Sequence, residues 1–237
     1  MLDRDTDRVL GAILRPGHYR ALVNTFRVQS HPVDALRRYV FGTGAYPWDQ
    51  TVRTPIGVVG VRLHHPHDAR TLNEIFCRLD YGRGGERVVV DLGANIGLAS
   101  LFFLTRRPDS VVYAVEPVPT NIARLRDNLV DFSDRLHLDT RAVGVTTGPA
   151  SFLVEDTGRY GGLAAYVDLD QGRPITVECV AIAPLLEEIL DREGAIDLVK
   201  IDTEGSEAAL VSAIPASLRP HIGSIIWEQR NATIGRL

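Results

Sequence analysis

Little in this sequence could hold it together covalently or anchor it in a membrane. Cys77 and Cys179 are the two cysteines among 237 residues. Both sit in apolar stretches with neither metal-type nor disulfide spacing, so buried thiols are expected. No apolar run approaches the roughly 18 residues that a membrane span needs. Met1-Leu2-Asp3-Arg4-Asp5 is acidic and lacks a signal-peptide core, which makes a cytoplasmic location the expectation. Basic residues are dispersed and the net charge is -4, which argues against a nucleic-acid partner. Internal repeats and low-complexity tracts are missing. So are the G-x-G-x-x-G dinucleotide fingerprint and the G-x-x-x-x-G-K-[ST] phosphate loop.

What is present reads as a globular α/β protein. Hydrophobic content of 45% and charged content of 24% are ordinary for that class. The length allows one large domain, or one with a small N-terminal appendage. The organising stretch is Val88-Val89-Val90-Asp91-Leu92-Gly93-Ala94-Asn95-Ile96-Gly97, followed by the apolar residues 98–104. An unbroken β-branched run predicts a buried strand of a parallel sheet, and the glycines predict a tight turn into a helix. Ligands of such sheets sit outside the carboxyl ends of the strands. Asn95 stands where a dinucleotide site would need its second glycine, so a ligand without phosphates is expected.

Along the chain, residues 1–50 form an extension that is hard to read, with short helices predicted at 5–14 and 33–39 and an aromatic turn at Tyr46-Pro47-Trp48. Residues 51–237 make the main domain. It opens with a hairpin over 51–64. His64, His65 and His67 then invite a metal reading, but a polar turn is favoured because no partner lies at a familiar spacing. A helix is predicted over 68–80, with Leu72, Ile75, Phe76 and Leu79 on its apolar face. Later strands are predicted at 110–117, 136–144, 151–155, 175–180, 196–202 and 224–228, and helices at 119–131, 184–192 and after Ser206, read as a cap. The loop at 157–162 could close over a substrate or be a hairpin tip.

Four predicted strands end on an acid: Asp91, Glu116, Asp202 and Glu228. In a parallel sheet these ends share one edge, so the carboxylates should converge on a crevice that suits a cation or a polyol. Glu116 follows Asp91 by about 25 residues, near the spacing of a ribose-binding acid. A ligand with a sulfonium, a ribose and no phosphate fits: S-adenosylmethionine.

Three blocks then carry a resemblance. Val90-Asp91-Leu92-Gly93-Ala94-Asn95-Ile96-Gly97, Glu116-Pro117-Val118-Pro119-Thr120-Asn121 and Lys200-Ile201-Asp202-Thr203-Glu204-Gly205-Ser206-Glu207 resemble the FkbM-type family of methyltransferases, as does the upstream stretch His67-Asp68-Ala69-Arg70-Thr71-Leu72-Asn73-Glu74-Ile75-Phe76 with Tyr81. The resemblance implies a class I (Rossmann-like) methyltransferase fold and O-methylation, often of sugars or natural products. It implies that Asp91, Gly93, Asn95 and Gly97 form the cofactor turn and that Glu116 binds the ribose. Arg141 and Ala142 would meet the adenine edge, and Tyr81 the methionine end. Ala183-Pro184 departs from the family's usual Leu-Asp. The chain also leaves little room for closing strands, so the hairpin or a partner chain, hence a homodimer, is expected to complete the sheet.

For the chemistry, Asp202 and Glu228 are the candidate catalytic acids. With Glu204 they could hold a magnesium ion that acidifies an acceptor hydroxyl. Direct general-base catalysis by Asp202 or a histidine is the alternative. The expected function is S-adenosylmethionine-dependent O-methyl transfer to a carbohydrate or glycosylated natural product. A non-catalytic cofactor-binding module is the other class, and an NAD-dependent reductase is disfavoured by Asn95.

Overall fold

The computed structural model describes residues 16–155, 161–167, 172–229 and 233–236. The helix expected at 5–14 and most of the loop at 157–162 lie outside them. The chain divides into two units after Arg83, not near residue 50 as the sequence suggested. The physical reason is the hairpin, whose strands β1 (Trp48–Thr54) and β2 (Gly57–Leu63) pair with each other in a sheet of their own. The helix Pro16–Val28 belongs to the same unit, and a bridge from Gln29 to Val52 ties its end to β1.

In this N-terminal unit the helix Pro66–Leu72 runs into a π-helical turn, Asn73–Arg78. The histidines before it serve as a helix start. The backbone N–H groups of His64 and His65 donate to Asp68 at 2.7 and 3.0 Å, and His67 lies 2.9 Å from the same carboxyl. The aromatic turn is anchored by Arg38, buried between the rings of Tyr46 and Trp48.

The C-terminal unit is built on a six-stranded sheet in the order β12-β11-β10-β3-β4-β5. These strands are β3 (Val88–Leu92), β4 (Val111–Val115), β5 (Leu136–Asp139), β10 (Ile196–Ile201), β11 (Ile222–Gln229) and β12 (Thr233–Arg236). All neighbours are parallel except β11 and β12. The order is that of a class I methyltransferase sheet. From β3 the chain moves outward through β4 and β5, then returns to the other side through β10. The topological switch point, where such sheets bind ligands, therefore lies between β3 and β10. β12 adds an antiparallel edge strand that the sequence reading did not place, and the N-terminal hairpin, paired only with itself, does not complete this sheet.

Strand alternation sorts side chains to two faces. Val88, Val90 and Leu92 join Val199 and Ile201 in a core with Leu185, Leu186 and Ile189 of the helix Ile182–Glu193. Asp91 and Lys200, partners in register, point to the other face. There the helix Leu98–Leu104 is buried along its whole length.

The predicted strand 136–144 is two strands in different sheets. β5 ends at Asp139, and β6 (Ala142–Gly144) starts a second sheet in the order β6-β9-β7-β8, with β7 (Gly148–Val154), β8 (Gly161–Leu163) and β9 (Arg173–Ala181). The helix predicted at 119–131 is Pro119–Asn128 followed by a 3-10 turn, Val130–Phe132. Among the described residues no helix is long and apolar enough to cross a membrane.

Candidate functional site

Two strand-to-helix turns meet at the switch point. The first follows β3. Gly93 and Gly97 adopt φ of 77° and 86°, and Asn95 adopts 50°. Asn tolerates this left-handed region better than most side chains. At Gly93 a Cβ would lie 1.9 Å from the Asp202 carbonyl oxygen, which no side chain could accept. The Asp202 N–H also donates to the Leu92 carbonyl at 3.0 Å. The turn after β10 is thus laid directly on the turn after β3.

Glu116, just beyond the end of β4, closes the other side of the first turn. Its Oε2 accepts from the Asn95 N–H at 2.9 Å, and its Oε1 accepts from the Val118 N–H at 3.0 Å and the Asn121 amide at 3.4 Å. Burial pushes this carboxyl up to about 7, although those bonds and the charge of Lys200 act the other way.

Asp91 is placed differently from expectation. Its carboxylate is fully buried, accepts from Ser100 Oγ at 2.7 Å and pairs with Lys200 Nζ at 2.8 Å. It braces the turn from inside the core and does not line an open crevice. Lys200 Nζ also donates to the Gly93 carbonyl at 3.2 Å and lies 3.4 Å from Asp202 Oδ2. Asp202 itself is 30% exposed.

The second turn is held by Glu207. Its Oε1 accepts from the Thr203 and Gly205 N–H groups at 2.9 Å each. Ser206 makes no side-chain cap and instead bonds Thr203 Oγ1 at 2.8 Å. The second sheet reaches this turn, because a Cβ on Gly162 would come within 2.9 Å of the Glu204 carbonyl and one on Gly205 within 2.9 Å of the Tyr166 carbonyl. Backbone therefore packs on backbone at both glycines.

The family model for the methyltransferase FkbM domain matches residues 91–233, which spans both turns. The chain belongs to the FkbM family of methyltransferases. Its methyl donor is accordingly S-adenosylmethionine. A curated relative, the 31-O-demethyl-FK506 methyltransferase FkbM of Streptomyces tacrolimicus, is 29% identical over 213 residues, 76% of this chain and 81% of that protein. A segment of the AMB antimetabolite synthetase AmbE of Pseudomonas aeruginosa is 31% identical over 108 residues, 43% of this chain and 5% of that protein. Among solved structures, the S-adenosylhomocysteine-bound (SAH-bound) methyltransferase PaMTH1 of Podospora anserina has a TM-score of 0.35 at 12% identity, covering 96% of this chain and 70% of that one. A methyltransferase from Geobacter sulfurreducens has a TM-score of 0.34 at 16% identity, covering 60% and 54%. At these TM-scores the neighbours add nothing to the strand order already described.

In this FkbM-family chain the residues at the first turn fit the cofactor. The left-handed turn brings backbone close to a ligand without a phosphate cradle. A carboxylate has about four lone-pair sites. Glu116 uses three for protein donors, so a ribose hydroxyl still finds an acceptor. The fit to magnesium is poor. No group of three His, Cys, Asp or Glu side chains converges among the described residues. Asp202 faces an ammonium, and Glu207 is occupied by backbone. The Glu228 side chain lies outside the described residues.

Arg141 forms a two-pronged pair with Asp139, with contacts of 2.6 to 3.1 Å, and Ala142 is buried in β6. Tyr81 belongs to the N-terminal unit. Sequence reasoning missed Asp139 and Lys200, whereas the alternative it held for Glu207, a carboxylate that stabilises the helix N-terminus, agrees with the bonds to Thr203 and Gly205. Asp139 had a signal, an acid at a strand end like the other four. Lys200 had one too, a cation inside the apolar C-terminal half of a strand.

Proposed function

We propose that this FkbM-family methyltransferase methylates a hydroxyl of a carbohydrate or glycosylated natural product, with Asp202 as proton acceptor. The observation that carries the reading is the place of Asp202. It is a partly exposed acid whose own backbone lies against Gly93 of the cofactor turn. When bound there, S-adenosylmethionine supplies an electrophilic methyl group on a sulfonium. Glu116 accepts ribose hydroxyls, and the backbone of residues 93–97 fixes the orientation. Asp202 accepts a hydrogen bond from the acceptor hydroxyl, aligns it and takes its proton; positioned proton transfer of this kind contributes about 10²–10⁴-fold. Alignment supplies much of the rest, because displacement at carbon is sensitive to geometry.

The Streptomyces relative is named for 31-O-demethyl-FK506, which supports an oxygen acceptor. A carbohydrate is favoured because charge-assisted hydrogen bonds from hydroxyls to carboxylates are strong. The test is transfer of labelled methyl from S-adenosylmethionine to a panel of sugars, glycosides, polyketides and lipids. Label is expected as an alkali-stable methyl ether on a sugar-containing acceptor. Label on nitrogen or on a carboxyl group, or no transfer to any hydroxyl acceptor, would overturn the reading.

A further inference from the structure

We infer that Lys200 is a positioning residue that fixes the Asp202 side chain against the cofactor turn, beyond neutralising Asp91. The inference rests on the proton-acceptor reading of Asp202.

Lys200 sits in β10 between Val199 and Ile201, both wholly buried, and is itself 3% exposed. A buried ammonium is costly unless its donors are satisfied. Pairing with Asp91 alone is a weak reason to keep it, since buried ion pairs can often be replaced by apolar pairs without loss. An ammonium, however, has three N–H donors, and three oxygens surround this one: Asp91 Oδ1 at 2.8 Å, the Gly93 carbonyl at 3.2 Å and Asp202 Oδ2 at 3.4 Å. They belong to the strand end, the cofactor turn and the acid of the second turn. One cation therefore ties together the parts that must be aligned for transfer.

The backbone of Asp202 is already fixed by its bond to Leu92 and its contact with Gly93. What remains is the carboxylate torsion, and Lys200 holds it through Oδ2. Oδ1 is then left for the acceptor hydroxyl. A guanidinium would replace this compact point charge with a planar fork and would not reproduce the three contacts.

The test is a double-mutant cycle between Lys200 and Asp202. Removing Lys200 alone would leave Asp91 buried and unpaired, so Lys200→Met is made together with Asp91→Asn. The same cycle with Lys200→Arg keeps the charge and is the one read if the Met background melts below the assay temperature. Readouts are kcat, calorimetric Kd for SAH, and Tm.

In the parent, Asp202→Asn should lower kcat about a hundredfold. The Asp91→Asn/Lys200→Met enzyme should bind SAH within about fivefold of Asp91→Asn alone while losing at least about tenfold in kcat. Adding Asp202→Asn to it should then cost no more than about tenfold instead of a hundredfold, the non-additivity expected of residues in one network. If Asp202→Asn costs its full factor in both backgrounds, Lys200 only neutralises Asp91 and the inference fails by itself. If Asp202→Asn leaves kcat intact in the parent, the proton-acceptor reading fails instead.

Discussion

The two turns at the switch point use the same backbone device for different ends. The turn after β3 holds three left-handed residues, Gly93, Asn95 and Gly97, and the turn after β10 holds two, Glu204 and Gly205. In the first turn the polar groups are answered from within: Asp91 by Ser100 and Lys200, and the Asn95 N–H by Glu116. In the second, Glu207 braces the backbone while Asp202 keeps part of its surface in solvent. A largely buried turn braced from within the protein is suited to one fixed ligand. A partly exposed acid beside it, in a turn whose Glu204 and Gly205 backbone packs on Gly162 and Tyr166, is open to a second molecule.

The sharpest way to break this contrast is Gly93→Ala. The new methyl would collide with the Asp202 carbonyl at a position where φ is positive. Strain and overpacking together should cost about 3 kcal/mol in denaturant unfolding, and calorimetry should show no SAH binding. A variant that stays stable and binds normally would show that the two turns are not laid together.

A smaller effect is expected for Glu116→Gln. Losing the charged acceptor should weaken SAH about tenfold. The native carboxyl, raised to about 7 from an ordinary 4.5, adds a pH signature. Between those values the folded protein holds a proton that the unfolded chain has released, so stability falls as pH rises through the window and the cost is complete above about 7. The ionised form is the better acceptor for hydroxyls, so SAH affinity should rise through the same window. Calorimetry and thermal melts between pH 5 and 8, a range set around those values, should show both trends in the parent and neither in the variant. Equal slopes in the two proteins would remove Glu116 from the ribose site.

Most of the sheet was legible because the β-branched run at 88–90 and the largely apolar stretch at 196–201, interrupted by Asp197 and Lys200, have few other stable states than a buried parallel strand. The cofactor turn was legible because its glycines sit where only left-handed backbone fits. The split at Thr140-Arg141 was not, since a nine-residue apolar-polar stretch reads as one strand unless the second sheet is known. That error also hid Asp139 as a strand end. Asp91 was placed on the crevice because sequence gives the strand end but not the face. Its pairing partner, 109 residues away, decides that it points inward. Lys200 was passed over within a recognised motif for the same reason.

If the two turns divide binding from chemistry, Asp202→Asn should separate the two. On an accepted sugar substrate, kcat should fall about a hundredfold while calorimetric Kd for SAH stays within about threefold of the parent. An unchanged kcat, or a loss of SAH affinity as large as the loss of kcat, would contradict it.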